Sequence, residues 1–397
     1  MAPRRRQTAE SAMATLLHLP PEICALICAV VEPKTLFALA RVSHTFRDEA
    51  QRLIFQSVDL RDGGKALAAW CRAVSRNARL GGYVRRFTIS SREVVAGSDD
   101  PARVARALKK CTGLQRLAVH APAEFGGDAT QTWVIDHPSF RLTHFSNSHF
   151  RFAFLRQFFN RQTDIRVLSL PMMPMGLQDG AFPCSEDQLP KLIALEVPST
   201  DLLPTEPRPL QRIQLRLIRQ YLSRDLTRLQ LFAATLTSLS ISEVAVISLE
   251  ETFAAIAQAA PHLQHLALTE NLVPFFEEND ERFQRTEVQP APRAALPRLR
   301  QLKTLVLYTY HTTTLVDGLT NRNYPLLEPE RVAELFLEIA PGLKSVTIGA
   351  YAGSPRSGWR FVAAETTCTL TRGEGSAAHT VKIGNGYDFN AVSQFWD

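Results

Sequence analysis

Apolar residues recur along this chain in two rhythms. Between Leu16 and Leu60 they are dense and spaced three and four apart, which predicts short helices. From Val84 onward a different pattern returns, apolar-x-x-apolar-x-apolar. Its copies begin at Val84, Leu114, Ile165, Leu192, Leu210, Leu236, Leu263, Leu302 and Leu343. A weaker copy, Leu142-x-x-Phe145, has Asn147 at its last position. Two apolar residues separated by one lie on the same face of a strand, so each copy predicts a strand. Helical spacing appears between many copies, over Lys65–Ala78, Asp100–Lys110, Phe150–Arg161, Glu250–Ala260 and Pro329–Ala340. The copies start 18 to 41 residues apart.

In the first rhythm, Pro20 and Pro21 suit a helix start, where the first turn has no use for its N–H groups. Glu22 suits the positive end of the helix dipole. Ile23, Leu26, Ile27 and Val30 follow at helical spacing, and Pro33 ends that helix. A second helix is expected from Lys34 to about Val42, with Leu36, Leu39 and Val42 on one stripe. Ser43 is a good N-cap for a third, whose apolar face holds Phe46, Ala50 and Leu53. Three helices in about 40 residues carry more apolar surface than so small a unit buries by itself. That surface either packs on the rest of the chain or docks another protein.

The segment Leu19-Pro20-x-Glu22-Ile23, Thr35-Leu36-x-x-Leu39, Val42-Ser43-x-x-Phe46-Arg47 resembles the F-box over roughly residues 17–57. In that family the three-helix motif binds the Skp-type adaptor of cullin–RING ubiquitin ligases. The resemblance implies adaptor-facing positions at Leu19, Pro20, Ile23, Ile27, Leu36, Leu39, Val42 and Phe46. Phe46 stands where many F-boxes carry Trp.

Strand then helix, repeated about ten times, is the layout of a leucine-rich-repeat solenoid. The copies are irregular, and the usual Asn or Cys after the core is mostly missing. The expected fold is therefore α/β: a small N-terminal three-helix F-box, then a degenerate leucine-rich-repeat-like solenoid with parallel strands and helices on the convex side. The expected divisions are a disordered basic tail at 1–15, the F-box at 16–60, the solenoid at 61–353 and a C-terminal cap at 354–397. In that cap Thr366–Thr371 and Thr380–Ile383 alternate like a hairpin, with Gly373 and Gly375 between them. F-box plus irregular repeats, with phrases such as Ala69-Trp70-Cys71-Arg72-Ala73-Val74, is similar to the expanded F-box families of mushroom-forming fungi.

Composition narrows the picture further. Hydrophobic residues make up 45% of the 397 and charged residues 21%, which excludes wholesale disorder. The longest apolar run, Ile23–Val31, is far short of the roughly 20 residues a bilayer span needs. The net charge of +6 does not by itself imply nucleic acid. A local excess does exist from Arg72 to Arg116, where eleven basic residues meet only Glu93, Asp99 and Asp100. It marks either an acidic partner or a set of solvated faces. Cys24, Cys28, Cys71, Cys111, Cys184 and Cys368 show no metal-like spacing. With no secretory signal visible, scattered thiols fit the cytosol or nucleus. Met172–Pro190 and Thr269–Leu299 read as loop insertions on the solenoid, which either bind something or are decoration.

Catalytic signals are weak. No phosphate-binding or nucleophile-elbow motif occurs. Cys24 and Cys28, one turn apart, read as packed thiols. His262 and His265 are expected on opposite faces, a poor metal pair. Asp136, His137 and Ser139 have triad residue types but no implied geometry. Phe150, Phe152, Phe154, Phe158 and Phe159 read as core, with a peptide groove as the other option. The chain is thus expected to be a non-enzymatic substrate-recognition subunit without cofactor or metal. Its expected partners are a Skp-type adaptor, a cullin through it, and a target protein on the concave sheet, with no membrane and no nucleic acid. The alternative is a binding scaffold outside any ligase, using the F-box only as an interaction module.

Overall fold

The computed structural model describes residues 19–61, 64–90, 101–120, 138–150, 152–171, 184–185, 187–216, 226–244, 249–270, 289–290, 292–309, 315–316, 329–350, 366–373 and 379–384. The expected tail at 1–15, most of both insertions, and Asp136 and His137 lie outside these residues. The chain divides into two compact units between Ile165 and Arg166, and each is taken in turn.

The first unit opens with three helices. α1 (Pro21–Val30) has Pro21 in its first turn, as the paired prolines predict. α2 (Pro33–Leu39) starts on Pro33, so this proline opens the second helix, and the helix stops short of Val42. α3 (His44–Gln56) is capped by Ser43, whose Oγ accepts the Phe46 N–H at 3.2 Å. Both α1 and α2 pack on α3. Their shared core is Cys24, Cys28, Leu36, Phe46 and Ala50.

α3 runs directly into β1 (Ser57–Leu60), a strand the sequence pattern did not announce. Then come α4 (Gly64–Arg76), α5 (Ala78–Tyr83), β2 (Arg86–Ser90), α6 (Pro101–Leu108), β3 (Arg116–His120), β4 (His144–Asn147) and α7 (Phe152–Arg161). β1 to β4 pair in parallel, in chain order. One sheet face packs on helices: Trp70 of α4 lies 4.6 Å from Phe87 of β2, and Phe158 of α7 lies 4.9 Å from Phe145 of β4. Phe150, Phe152, Phe158 and Phe159 of the aromatic run are buried core, whereas Phe154 is only half-buried.

The second unit continues the repeat with β5 (Val167–Ser169), β6 (Ala194–Val197), β7 (Arg212–Arg216), β8 (Ser238–Val244), α8 (Leu249–Ala259), β9 (His265–Glu270), β10 (Gln289–Pro290), β11 (Thr304–Thr309), β12 (Leu315–Val316), α9 (Pro329–Ile339) and β13 (Ser345–Ala350). Its main sheet runs β5-β6-β7-β8-β9-β11-β13 in parallel. The hairpin of β14 (Thr366–Arg372) and β15 (His379–Gly384) then adds to β13 in antiparallel fashion. β10 pairs with β12 apart from this sheet. Between β6 and β7 the crossover holds no α-helix, and a three-residue 3-10 turn, Thr200–Leu202, stands there.

Backbone bonding shows how regular the repeat is beneath its uneven spacing. The amides of Gln115 and Arg116 both donate to the Arg85 carbonyl, and those of Thr143 and His144 to Gln115. The same forked bond recurs from Gln211 and Arg212 to Ile193, from Gln264 and His265 to Thr237, and from Lys344 and Ser345 to Lys303. Each time the second residue of one copy accepts from the second and third residues of the next. Leu239, Leu266, Leu305 and Val346 stand in register across their strands. The architecture is thus α/β, a three-helix cluster followed by parallel strands alternating with helices in the manner of a leucine-rich-repeat-like solenoid. No helix among the described residues is long and apolar enough to cross a membrane.

Candidate docking face

The three-helix cluster has too little interior for its apolar residues. α1 turns Cys24 and Cys28 inward, and both are buried. At 100° per residue, Ile23, Leu26 and Val30 fall on a separate stripe of the same helix. They are 41%, 62% and 82% exposed. Half-buried Ile27 borders that stripe. A helix that is apolar on both sides normally has both sides covered, and here only one side has a partner within the described residues. Phe37 on α2, 58% exposed, and Val42 in the next turn, 41% exposed, add further apolar surface. Covering all five side chains would stabilise a complex by on the order of 5 kcal/mol before the costs of association.

The eight positions implied by the F-box resemblance separate into three groups. Ile23, Val42 and Pro20 are exposed. Leu19, Ile27 and Leu39 are half-buried against the cluster core. Leu36 and Phe46 are that core, so they hold the helices in place beneath the surface. Leu26, Val30 and Phe37 were not in the expected set. Leu26 and Val30 carry a usable signal, the i, i+3, i+7 spacing from Ile23.

The cluster is fastened to the repeats that follow it. α3 passes into β1 without a linker, and Asp48 of α3 meets Arg79 of α5 at 2.8 Å. Arg52 is paired with Glu49 at 2.5 Å, and that hydrogen bond holds the Glu49 carboxyl below its ordinary range. A partner seated on α1 would therefore be held in a set orientation to the β1–β4 sheet.

Polar positions recur on the sheet face opposite the one that packs on the described helices. In the first unit Arg86, Arg116 and His144 stand in register there. In the second unit Ser169, Glu196, Gln214 and Ser240 form a buried polar row. Glu196 accepts from the Ser169 hydroxyl and, at 3.1 Å, from the Gln214 amide. Further along, Thr347 and Thr369 bond at 2.9 Å. Tyr308 lies across Gly349, where a Cβ would come within 2.4 Å of the ring.

The remaining candidates have structural roles. Burial raises the Cys28 thiol above its ordinary range, and burial followed by Cys71 pushes Cys111 up to about 12. These are packed thiols, not nucleophiles. Ser139 donates to the Lys109 carbonyl at 2.9 Å. His262 bonds Gln301 at 3.1 Å. No group of three metal-ligating side chains occurs among the described residues. Arg85 is tied to the Gly82 and Val84 carbonyls at 2.7 and 3.3 Å and lies over Gly113, so it braces a turn. No protein-family model matches the chain, and no curated protein matches its sequence.

Proposed function

We propose that this chain is the substrate-recognition subunit of a Skp–cullin–F-box ubiquitin ligase, with α1–α3 as the F-box. The observation that carries the reading is the stripe of Ile23, Leu26 and Val30, apolar and uncovered on a helix whose other side is already packed. The order and spacing of the motif residues support the same identification. The adaptor would lie on that stripe, while the repeat sheet would hold a target protein. The chain itself performs no chemistry in this scheme. Ubiquitin comes from a partner enzyme, and the receptor raises the local concentration of target lysines near it. Such a subunit works in the cytosol or nucleus.

The test is co-elution on gel filtration of the full chain, purified Skp-type adaptor and cullin. A single three-component peak is expected. A complex of chain and adaptor that excludes the cullin would instead favour an interaction module outside any ligase. A folded chain that takes up neither protein would overturn the reading.

A further inference from the structure

The net positive charge belongs to one part of the chain. Residues 1–165 contain 24 Lys and Arg against 14 Asp and Glu, while residues 166–397 contain 21 against 25. Within the first unit much of that excess gathers on two helices that touch, α4 and α6. On α4, Leu67, Trp70, Cys71 and Val74 are buried, and Lys65, Arg72 and Arg76 fall at the centre of the opposite face. On α6, Val104, Ala107 and Leu108 are buried, and Arg106, with Lys109 and Lys110 just beyond the helix end, is exposed.

None of these six cations pairs with a carboxylate among the described residues. Some exposed cations elsewhere do pair: Arg331 with Glu334 and Glu338, Arg79 with Asp48, and Arg61 with Asp59. Arg72 with Arg76 and Arg106 with Lys110 are like charges at i, i+4, a spacing that destabilises a helix. Helix dipoles favour cations in the last turn, which accounts for Arg76 and Arg106 but not for Lys65 and Arg72.

We infer that the paired outer faces of α4 and α6 bind an acidic protein segment. Between the cations the exposed residues are Ala66, Ala69, Ser75 and Ala102. Such a surface offers charge on a smooth floor. It has no aromatic ring to stack on a base and no amide to read a base edge, so carboxylates fit it better than nucleic acid. From Lys65 to Arg76 the stripe runs roughly 16 Å along the helix, the reach of a short acidic helix or a few extended residues.

The test is fluorescence anisotropy with the full chain and two labelled probes, a ten-residue peptide alternating Glu and Ala and a twenty-base-pair DNA duplex. The peptide should bind at 50 mM salt and weaken about tenfold or more at 300 mM. Arg72→Gln with Arg106→Gln should cost roughly threefold, and reversal of Arg72, Arg76 and Arg106 to Glu about tenfold or more. The control Lys34→Glu with Arg41→Glu should leave binding unchanged, with circular dichroism confirming each fold. Absence of peptide binding, an equal loss in the control, or tighter binding of the duplex than of the peptide would each overturn the inference.

Discussion

Asn147 gives the sharpest test of how the repeat is built. It occupies the last position of the third motif copy, where the other strands carry residues such as Ile89, Val119 and Leu268. A repeat consensus would place Leu here and expect a gain. The structure argues the reverse. Asn147 is fully buried, and its side chain closes the turn into α7. Its Nδ2 donates to the Phe150 carbonyl at 2.8 Å, and its Oδ1 accepts from the amides of His149 at 3.1 Å and Phe150 at 2.8 Å. Asn147→Leu removes all three bonds. Each buried polar group that loses its bond costs about 1 to 3 kcal/mol, and the added Leu returns about 2. Over three such groups the net loss should be about 1 to 7 kcal/mol. Urea unfolding followed by circular dichroism should show a lower midpoint, with faster amide exchange at His149 and Phe150. A midpoint equal to or above that of the wild type would refute the reasoning.

Gly349→Ala should destabilise the second unit by about 1 to 3 kcal/mol, because the new methyl meets the Tyr308 ring. A thermal melt reads this, and Tyr308→Ala in the same chain should recover part of the loss. His120, His149 and His265 are all held below the ordinary histidine value, chiefly by burial. The unfolded chain therefore takes up more protons, so stability is full above pH 6.5 and falls as the pH drops through that value. Melting midpoints should be higher at pH 7.5 than at pH 5.5, and His149→Gln should flatten part of the difference. The Cys111 thiol, pushed up to about 12, should resist iodoacetamide at pH 8 until the chain is unfolded, as mass spectrometry of the alkylated peptides would show.

The repeat strands were readable because two apolar residues separated by one can bury together only on a pleated face. All ten copies, Asn147's included, lie on strands. The five predicted helices formed to within about two residues at each end, since buried sets such as Leu67, Trp70, Cys71 and Val74 leave a clear 3.6-residue trace. β1 escaped notice because Val58 and Leu60 are only two apolar residues in a tract that reads as the end of a helix. α5 escaped because Gly81 and Gly82 argue against a helix. Tertiary context decided that case: Gly81 faces the Lys110 carbonyl, where a Cβ would come within 2.7 Å. Of the eight positions implied by the resemblance, Pro20, Ile23 and Val42 are exposed, while Leu36 and Phe46 are buried in the cluster core. Leu36 and Leu26 are the same residue type at helical spacing, and only the packing of α1 and α2 on α3 puts one inside and the other in solvent.

That division decides the measurement that bears most directly on the central claim. Leu36→Asp would place a carboxylate in the cluster core and report on folding, so it is the wrong probe. Ile23→Asp with Leu26→Asp changes the exposed stripe and leaves the core alone. Titration calorimetry of purified Skp-type adaptor into the full chain should give a saturable complex with the wild type. The double variant, with unchanged circular dichroism, should bind at least about a hundredfold more weakly, because two carboxylates would be buried without partners. Equal affinity for the two chains, or no binding by the folded wild type, would contradict the account.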